Sequence, residues 1–125
     1  MKYAIFTDTT CDLTLEEREK YGIWPLMYEQ NTTYEGQDVD VSDPAQFYQR
    51  LEKGEYKPGL LKTSSSGYEA VARVLDDIIA KTQPNTPIVY AGISPYMSAG
   101  SVQTVRMVMD DYAESHPERK FIYVD

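Results

Sequence analysis

The chain has 125 residues, of which 42% are hydrophobic and 26% are charged, as is typical of one globular domain and not of a disordered segment. Twenty acidic residues against twelve basic ones give a net charge of −8, which disfavours binding to nucleic acid or to an anionic membrane. The single cysteine, Cys11, excludes an intramolecular disulfide and a cysteine-rich zinc site. No stretch reaches the roughly 20 apolar residues of a membrane span, and the start of the chain lacks the apolar core of a signal peptide. We therefore expect a cytoplasmic protein.

The first predicted elements are a strand and a helix. The short apolar run at 3–6 predicts the strand, and a polar cluster follows it. Thr14 with Glu17 three residues later forms a capping box, and Gly22 provides a stop signal. Together they predict a helix between these residues.

The next segment predicts a second strand, a hairpin arm and a second helix. The strand covers 23–28, and Pro25 within it indicates an edge or a bulge. Residues 31–34 predict a short hairpin arm. Asp43 as a cap, followed by proline, predicts a helix that runs to about residue 53 and stops at a glycine.

The polar segment 62–67 is predicted to open the third helix. The apolar residues at helical spacing in that helix are expected to face inward, and the charged ones to face solvent. The inward set is Val71, Val74, Leu75 and Ile78, and the outward set is Glu69, Arg73, Asp76 and Lys81.

The last third of the chain predicts a strand, a loop, a long helix and a final strand. The apolar run 87–93 is typical of a buried strand, and the loop 94–98 leads to a helix over 99–115. Its inward residues are expected to be Val102, Val105, Met109 and Tyr112. Residues 121–125 predict the last strand. Because strands and helices alternate, we expect an α/β fold with a mostly parallel sheet and helices on both faces.

Three hydroxyl-rich segments, 7–10, 63–66 and 94–101, are predicted near helix starts at strand ends. Ligands of open parallel sheets bind at the carboxyl ends of the strands, and helix starts there attract anions. Apart from Lys62, these segments carry no positive charge, which favours a singly charged group such as a carboxylate. The alternative is that these hydroxyls are plain helix caps.

Other candidate sites are weaker. Residues 38–42 resemble the start of a calcium loop, but Asp43 replaces the required glycine and Gln49 the bidentate glutamate. His116 is expected at a helix C-terminus, in a structural role. Cys11 has no histidine nearby to activate it as a nucleophile. We therefore predict no catalytic residue, no metal site and no cofactor.

Six segments in a fixed order resemble the motifs of one protein family. They are FTDTTCDL, EREKYGIWPL, YEGQDVDVSDPAQFYQRL, LKTSSSGYEAV, GISPYMSAGSVQTV and FIYVD. The matching family motifs include T-D-S-T-A-D-L at the start, K-T-S near the middle and I-S-S after a later strand. The family is DegV, bacterial proteins that bind one long-chain fatty acid.

The resemblance implies a function and a set of site residues. DegV proteins have two domains, and this chain resembles only the N-terminal one, so the C-terminal domain would be absent. By matching position, Thr63 and Ser94 would hold the carboxylate of a long-chain fatty acid. Ser64, Ser98 and Thr9 would line the same site. Some family members present the bound acid to a fatty acid kinase, so the protein would be a carrier and not an enzyme.

Two alternatives stay open. One is a phosphotransferase-like enzyme domain of related fold, for which the only histidine is His116. The other is a stand-alone protein-interaction domain. If one face is normally covered by a missing domain, the isolated chain would expose an apolar patch and form a homodimer.

Overall fold

A computed structural model describes residues 2–8, 11, 13–26, 32–41, 43–57, 59–63, 67–94, 96 and 99–124. Within this part of the chain, strands and helices alternate. In chain order they are β1 (Ala4–Thr7), α1 (Leu15–Tyr21), β2 (Trp24–Pro25), β3 (Thr32–Tyr34), β4 (Gln37–Asp38), α2 (Pro44–Glu52), β5 (Leu61–Thr63), α3 (Tyr68–Lys81), β6 (Ile88–Ala91), α4 (Ala99–Ser115) and β7 (Phe121–Val124).

The central sheet has four strands in the order β2-β1-β6-β7, and every neighbouring pair is parallel. The connection from β1 to β2 and the connection from β6 to β7 lead in opposite directions across the sheet. Because such connections are right-handed, α1 and α4 lie on opposite faces. The predicted α/β fold is confirmed, whereas the strand order could not be read from the sequence.

The face of the sheet under α3 and α4 forms the hydrophobic core. Phe6 and Ile88 on this face are fully buried, and Phe6 packs its ring 5.0 Å from that of Tyr90. The helices contribute the residues that the spacing predicts. These are Val71, Val74, Leu75 and Ile78 of α3 and Val102, Val105 and Met109 of α4, all buried, while Tyr112 is half-buried.

The opposite face carries the alternate residues of the same strands, because successive side chains of a strand point to opposite sides. Ile5 of β1 and Val89 of β6 are aligned on it, and both are half-buried. The register aligns Ile122 and Val124 of β7 with the same face, and Val124 is 49% exposed. The side chains on this face are therefore less closely packed than those of the core, which leaves space for a ligand site.

The first two helices begin at the predicted caps. Thr14 Oγ1 accepts a hydrogen bond from the Glu17 amide at 3.1 Å, and the Thr14 amide donates to the Glu17 carboxylate at 2.9 Å. Gly22 ends α1 in the left-handed conformation, with φ of 64°. Asp43 caps α2 by accepting from the Ala45 amide at 3.1 Å. Local sequence therefore sets both helix starts.

A second, antiparallel sheet has the order β4-β3-β5. The predicted hairpin arm is confirmed as β3, which pairs with β4 and β5. The prediction that 62–67 opens a helix was wrong in its first part, because Lys62 and Thr63 belong to strand β5. The helix α3 starts only after Gly67, which caps it without a side-chain bond. The physical reason is tertiary, since the edge of β3 supplies hydrogen-bond partners that the local sequence does not reveal.

Strand β2 is shorter than predicted in the described residues, because it covers Trp24–Pro25 and residues 27–30 lie outside them. It is an edge strand of the four-stranded sheet, as Pro25 predicts. Among the described residues, none of the helices has the length and hydropathy that a bilayer crossing needs.

Candidate functional site

The switch point of the central sheet lies between β1 and β6, where the chain leaves neighbouring strands in opposite directions. In open parallel sheets such a point creates a crevice beyond the carboxyl ends of the strands. A cavity of about 630 Å³ lies there. Its lining residues are Ile5, Thr7, Cys11, Leu13, Ile23, Ala91, Gly92 and Ile93.

The chemistry of this cavity is mostly apolar. Among its described lining residues none carries a charge, and the hydroxyl of Thr7 and the thiol of Cys11 are the polar side-chain groups. Cys11 is half-buried. The volume of the cavity falls within the roughly 300–1,000 Å³ of small-molecule sites, which are mainly apolar with few polar groups. The cavity therefore suits an apolar ligand.

Asp8 follows β1 directly and connects the two central strands at the edge of the site. Its Oδ2 accepts a hydrogen bond from the Tyr90 hydroxyl at 2.9 Å and another from the Ile93 amide at 3.3 Å. Burial, followed by the nearby Asp8 charge and this hydrogen bond, raises the pKa of Tyr90. The phenol therefore stays protonated as a donor at neutral pH.

Gly92 is required by the position of the Tyr90 ring. A Cβ atom at residue 92 would lie 2.0 Å from the Tyr90 hydroxyl oxygen and 2.1 Å from the ring carbon that bears it. Such a contact is impossible without moving Tyr90. The glycine thus allows the hydroxyl to pass over the strand end and reach Asp8.

Of the predicted site residues, Ser94 is adjacent in sequence to a residue that lines the cavity. It follows Ile93, which lines the cavity, and it is half-buried. Its hydroxyl oxygen accepts a hydrogen bond from the Tyr96 amide at 3.2 Å. This bond fixes the side chain at the start of the loop and leaves the hydroxyl hydrogen available to donate.

Thr63 lies at a strand end before a helix, as the sequence suggests, but the strand belongs to the antiparallel sheet and not to the parallel one. It is the last residue of β5 in the antiparallel sheet, aligned with Thr32, and its side chain is exposed. It is not among the described residues that line the cavity. Ser64, Ser98 and Thr9 lie outside the described residues.

Sequence reasoning missed the walls of the cavity and the Asp8–Tyr90 contact. Ile5 lies in β1 and Ile23 directly precedes β2, and nothing in the local sequence distinguishes these apolar residues from core residues. Tyr90 and Asp8 are 82 residues apart, and their contact depends on the strand order. The available signal was a tyrosine two residues before a glycine at a predicted strand end.

His116 lies just after the last residue of α4. The first residue of that helix follows β6, so His116 is at the end of α4 that is remote from the cavity. Its ring stacks on Tyr112 at 5.8 Å, and its Nδ1 is 3.0 Å from the Tyr112 carbonyl oxygen. In the described part of the chain, no group of three or more His, Cys, Asp or Glu residues is arranged to hold a metal ion. The cavity at the switch point is therefore the candidate site.

No family model matches the chain, and no match was found among curated proteins. Solved structures do match over its whole length. A stearic-acid-binding protein from Eubacterium ventriosum is 23% identical with a TM-score of 0.73, and the match covers 99% of this chain and 41% of that protein. A DegV lipid-binding protein from Thermotoga maritima is 19% identical with a TM-score of 0.69, over 100% of this chain and 42% of that protein.

A DegV-family protein from Ruminococcus gnavus, determined with vaccenic acid, is 18% identical with a TM-score of 0.70, over 99% of this chain and 41% of that protein. The chain therefore spans less than half the length of these neighbours. The order of strands and helices, the cavity at the switch point and these matches lead to one conclusion. The chain has the α/β fold of part of the DegV-family proteins.

Proposed function

We propose that this chain binds a long-chain fatty acid, with the apolar tail in the cavity at the switch point and the carboxylate at its edge. The observation that carries the proposal is the uncharged lining of a 630 Å³ cavity at the carboxyl ends of β1 and β6. Three neighbours of the same fold are fatty-acid- or lipid-binding proteins or hold a fatty acid, which supports this ligand class.

The tail would supply most of the binding free energy. Each buried methylene contributes about 0.8 kcal/mol, so a tail of about fifteen offers roughly 12 kcal/mol before the cost of association. A hydrogen bond from a hydroxyl to the charged carboxylate contributes about 1.5–3 kcal/mol, which is much less than the tail. The head group therefore needs orientation more than strong attraction, which suits a site edge without a lysine or arginine among the described lining residues.

Ser94 and Thr63 are the proposed head-group ligands. Ser94 adjoins the cavity through Ile93 and has a hydroxyl hydrogen to donate. Thr63 is exposed at the end of β5, so its hydroxyl is accessible to a ligand. Ser64, Ser98 and Thr9 remain proposed neighbours of the head group because of their positions in the chain.

We propose that the protein is a cytoplasmic carrier and not an enzyme, and that the chain corresponds to the N-terminal domain of a longer protein. A bound acid whose carboxylate lies at the open edge could be presented to a fatty acid kinase. On the face of the parallel sheet that carries the cavity, Val124 is 49% exposed, and this exposed apolar surface would also support self-association of the isolated chain. Light scattering after size exclusion would reveal a strict monomer if this last part is wrong.

The experiment is binding of radiolabelled stearic acid to the 125-residue chain, together with native mass spectrometry after gentle extraction. We expect one added mass of a long-chain acid per chain. The double variant Thr63→Ala, Ser94→Ala should weaken stearic acid binding at least about a hundredfold, since two hydrogen bonds to the charged carboxylate are lost. Thr33→Ala is the matched control, because Thr33 lies in β3 beside β5 and is half-buried. A chain that binds no stearic acid, or a double variant that binds like Thr33→Ala, would contradict the proposal.

A further inference from the structure

Asp8 holds the segment that follows β6 in a fixed position relative to the cavity. Its Oδ2 accepts from the hydroxyl of Tyr90 within the strand and from the amide of Ile93 beyond it. The two donors are three residues apart in the chain and converge on one oxygen atom. We name this arrangement of Asp8, Tyr90, Gly92 and Ile93 the Asp8 bridge.

The Asp8 bridge requires a specific combination of side chains. The Tyr90 ring is 2% exposed and packs on Phe6, so the core determines the direction of its hydroxyl. Gly92 lacks the Cβ that would collide with that hydroxyl. The Tyr90 hydroxyl is therefore directed over Gly92 toward the end of the strand, where it donates to Asp8.

The bridge continues into the head-group edge of the site. Gly92 and Ile93 line the cavity, and Ser94 is the next residue. The Ser94 hydroxyl is oriented locally by the Tyr96 amide, but its backbone follows from Ile93, whose amide Asp8 holds. A shift of Ile93 would therefore move both the cavity wall and the serine.

We infer that Asp8 is the positioning residue of the ligand site, which sets the placement of Ser94 against the cavity through Tyr90 and the Ile93 amide. The inference rests on the proposed function, because it assigns Ser94 to the head group. Asp8 acts through the loop, by accepting two hydrogen bonds at one oxygen. An amide oxygen can accept the same two bonds, so the inference depends on the acceptor and not on the charge.

The test compares Asp8→Ala, Asp8→Asn and Tyr90→Phe in binding of radiolabelled stearic acid to the 125-residue chain. Asp8→Ala removes a charged acceptor of two bonds and should weaken binding about tenfold or more. Asp8→Asn should restore affinity to within about threefold of the parent, and Tyr90→Phe should fall between them. Ile88→Val, a core truncation at the opposite end of β6, controls for loss of stability and should leave affinity unchanged.

A second readout does not need the ligand. Hydrogen exchange of the Ile93 amide should be about tenfold faster in Asp8→Ala than in the parent, and close to the parent rate in Asp8→Asn. A merely structural role would change exchange across the whole core, whereas the Asp8 bridge predicts a change confined to the segment after β6.

The outcomes separate the inference from the proposed function. If the parent binds stearic acid and Asp8→Ala binds it equally well, or Asp8→Asn fails like Asp8→Ala, the inference is overturned. If the parent binds no stearic acid, the proposed function fails. Hydrogen exchange of the Ile93 amide then decides whether the Asp8 bridge holds the segment after β6. Unchanged exchange there in Asp8→Ala overturns the bridge, and faster exchange confined to that segment supports it.

Discussion

The two faces of the parallel sheet use alternate residues of the same strands and differ sharply in packing. On the face under α3 and α4, Phe6 and Ile88 are fully buried. On the other face, Ile5 and Ala91 are half-buried and line the cavity. A strand can therefore contribute to the stability of the fold with one set of side chains and to a ligand site with the other. The following predictions test how cleanly the two faces divide these roles.

The largest effect is expected from truncating the same residue type on each face. Ile88→Ala should reduce the free energy of unfolding by about 2–5 kcal/mol, because it opens a void in a closed core. Ile5→Ala should cost only about 1 kcal/mol, because Ile5 already borders the cavity and is half-buried. Urea denaturation of the two variants measures the difference. Equal losses would mean that the second face is core as well.

The next effect concerns binding alone. Ala91→Leu adds a larger side chain to the cavity wall and should weaken stearic acid binding about tenfold, which is about 1.4 kcal/mol. Its stability should change little, since the added atoms enter existing space. Val89→Leu is the matched control, because Val89 lies on the same strand and face but not among the described lining residues. Titration with stearic acid should separate the two variants, and equal affinities would place the ligand elsewhere.

The helix caps provide a smaller comparison. Thr14→Ala and Asp43→Ala each remove one side-chain cap and should each reduce the free energy of unfolding by about 1 kcal/mol. Only Thr14→Ala should also weaken stearic acid binding, because Leu13 beside it lines the cavity. Denaturation and binding measured on both variants test this. A binding loss in Asp43→Ala would show that loss of stability alone explains the effect.

The smallest effect is a pH dependence of stability that comes from Tyr123, on the face of the sheet under α3 and α4. Burial, and then the hydrogen bond to Asp110, raise the pKa of Tyr123 to about 12. Its neutral form is favoured in the folded state, so its contribution to stability is complete below the unfolded value of about 10 and is lost as pH rises through 12. Tyr123→Phe should therefore lose less stability than the parent between about pH 10 and pH 12. Tyr96→Phe, at a fully exposed residue, should follow the parent in urea denaturation at each pH.

Local signals predicted the parts of the fold that depend on neighbours in the chain. The capping box of Thr14 and Glu17 and the left-handed Gly22 are bonded as the sequence indicates, because such motifs are closed within a few residues. The buried face of α3 followed from helical spacing for the same reason. Strand β5 was missed, since Lys62 and Thr63 are polar and gain strand structure only by pairing with β3.

The sequence indicated an end of the sheet for the candidate site, and the site residues themselves stay predictions. The carboxyl ends of β1 and β6 were identified by hydroxyl-rich segments, and the cavity lies there. Thr63 was expected at a strand end of the same sheet, but it lies in the antiparallel one. The hydrogen bond of Tyr90 to Asp8 could not be found, because it depends on two strands becoming neighbours only in the folded chain.

The placement of β1 in the middle of the sheet affects how the chain reaches its native state. Strand β1 precedes its central partner β6 by some eighty residues in the chain, as the spacing of Asp8 and Tyr90 shows, so it is synthesised well before β6. Until then α1 can form on its own caps, while β1 has no neighbour on that side. We expect slow folding governed by a long-range encounter, with the apolar strand β1 open to chaperones until β6 has been synthesised.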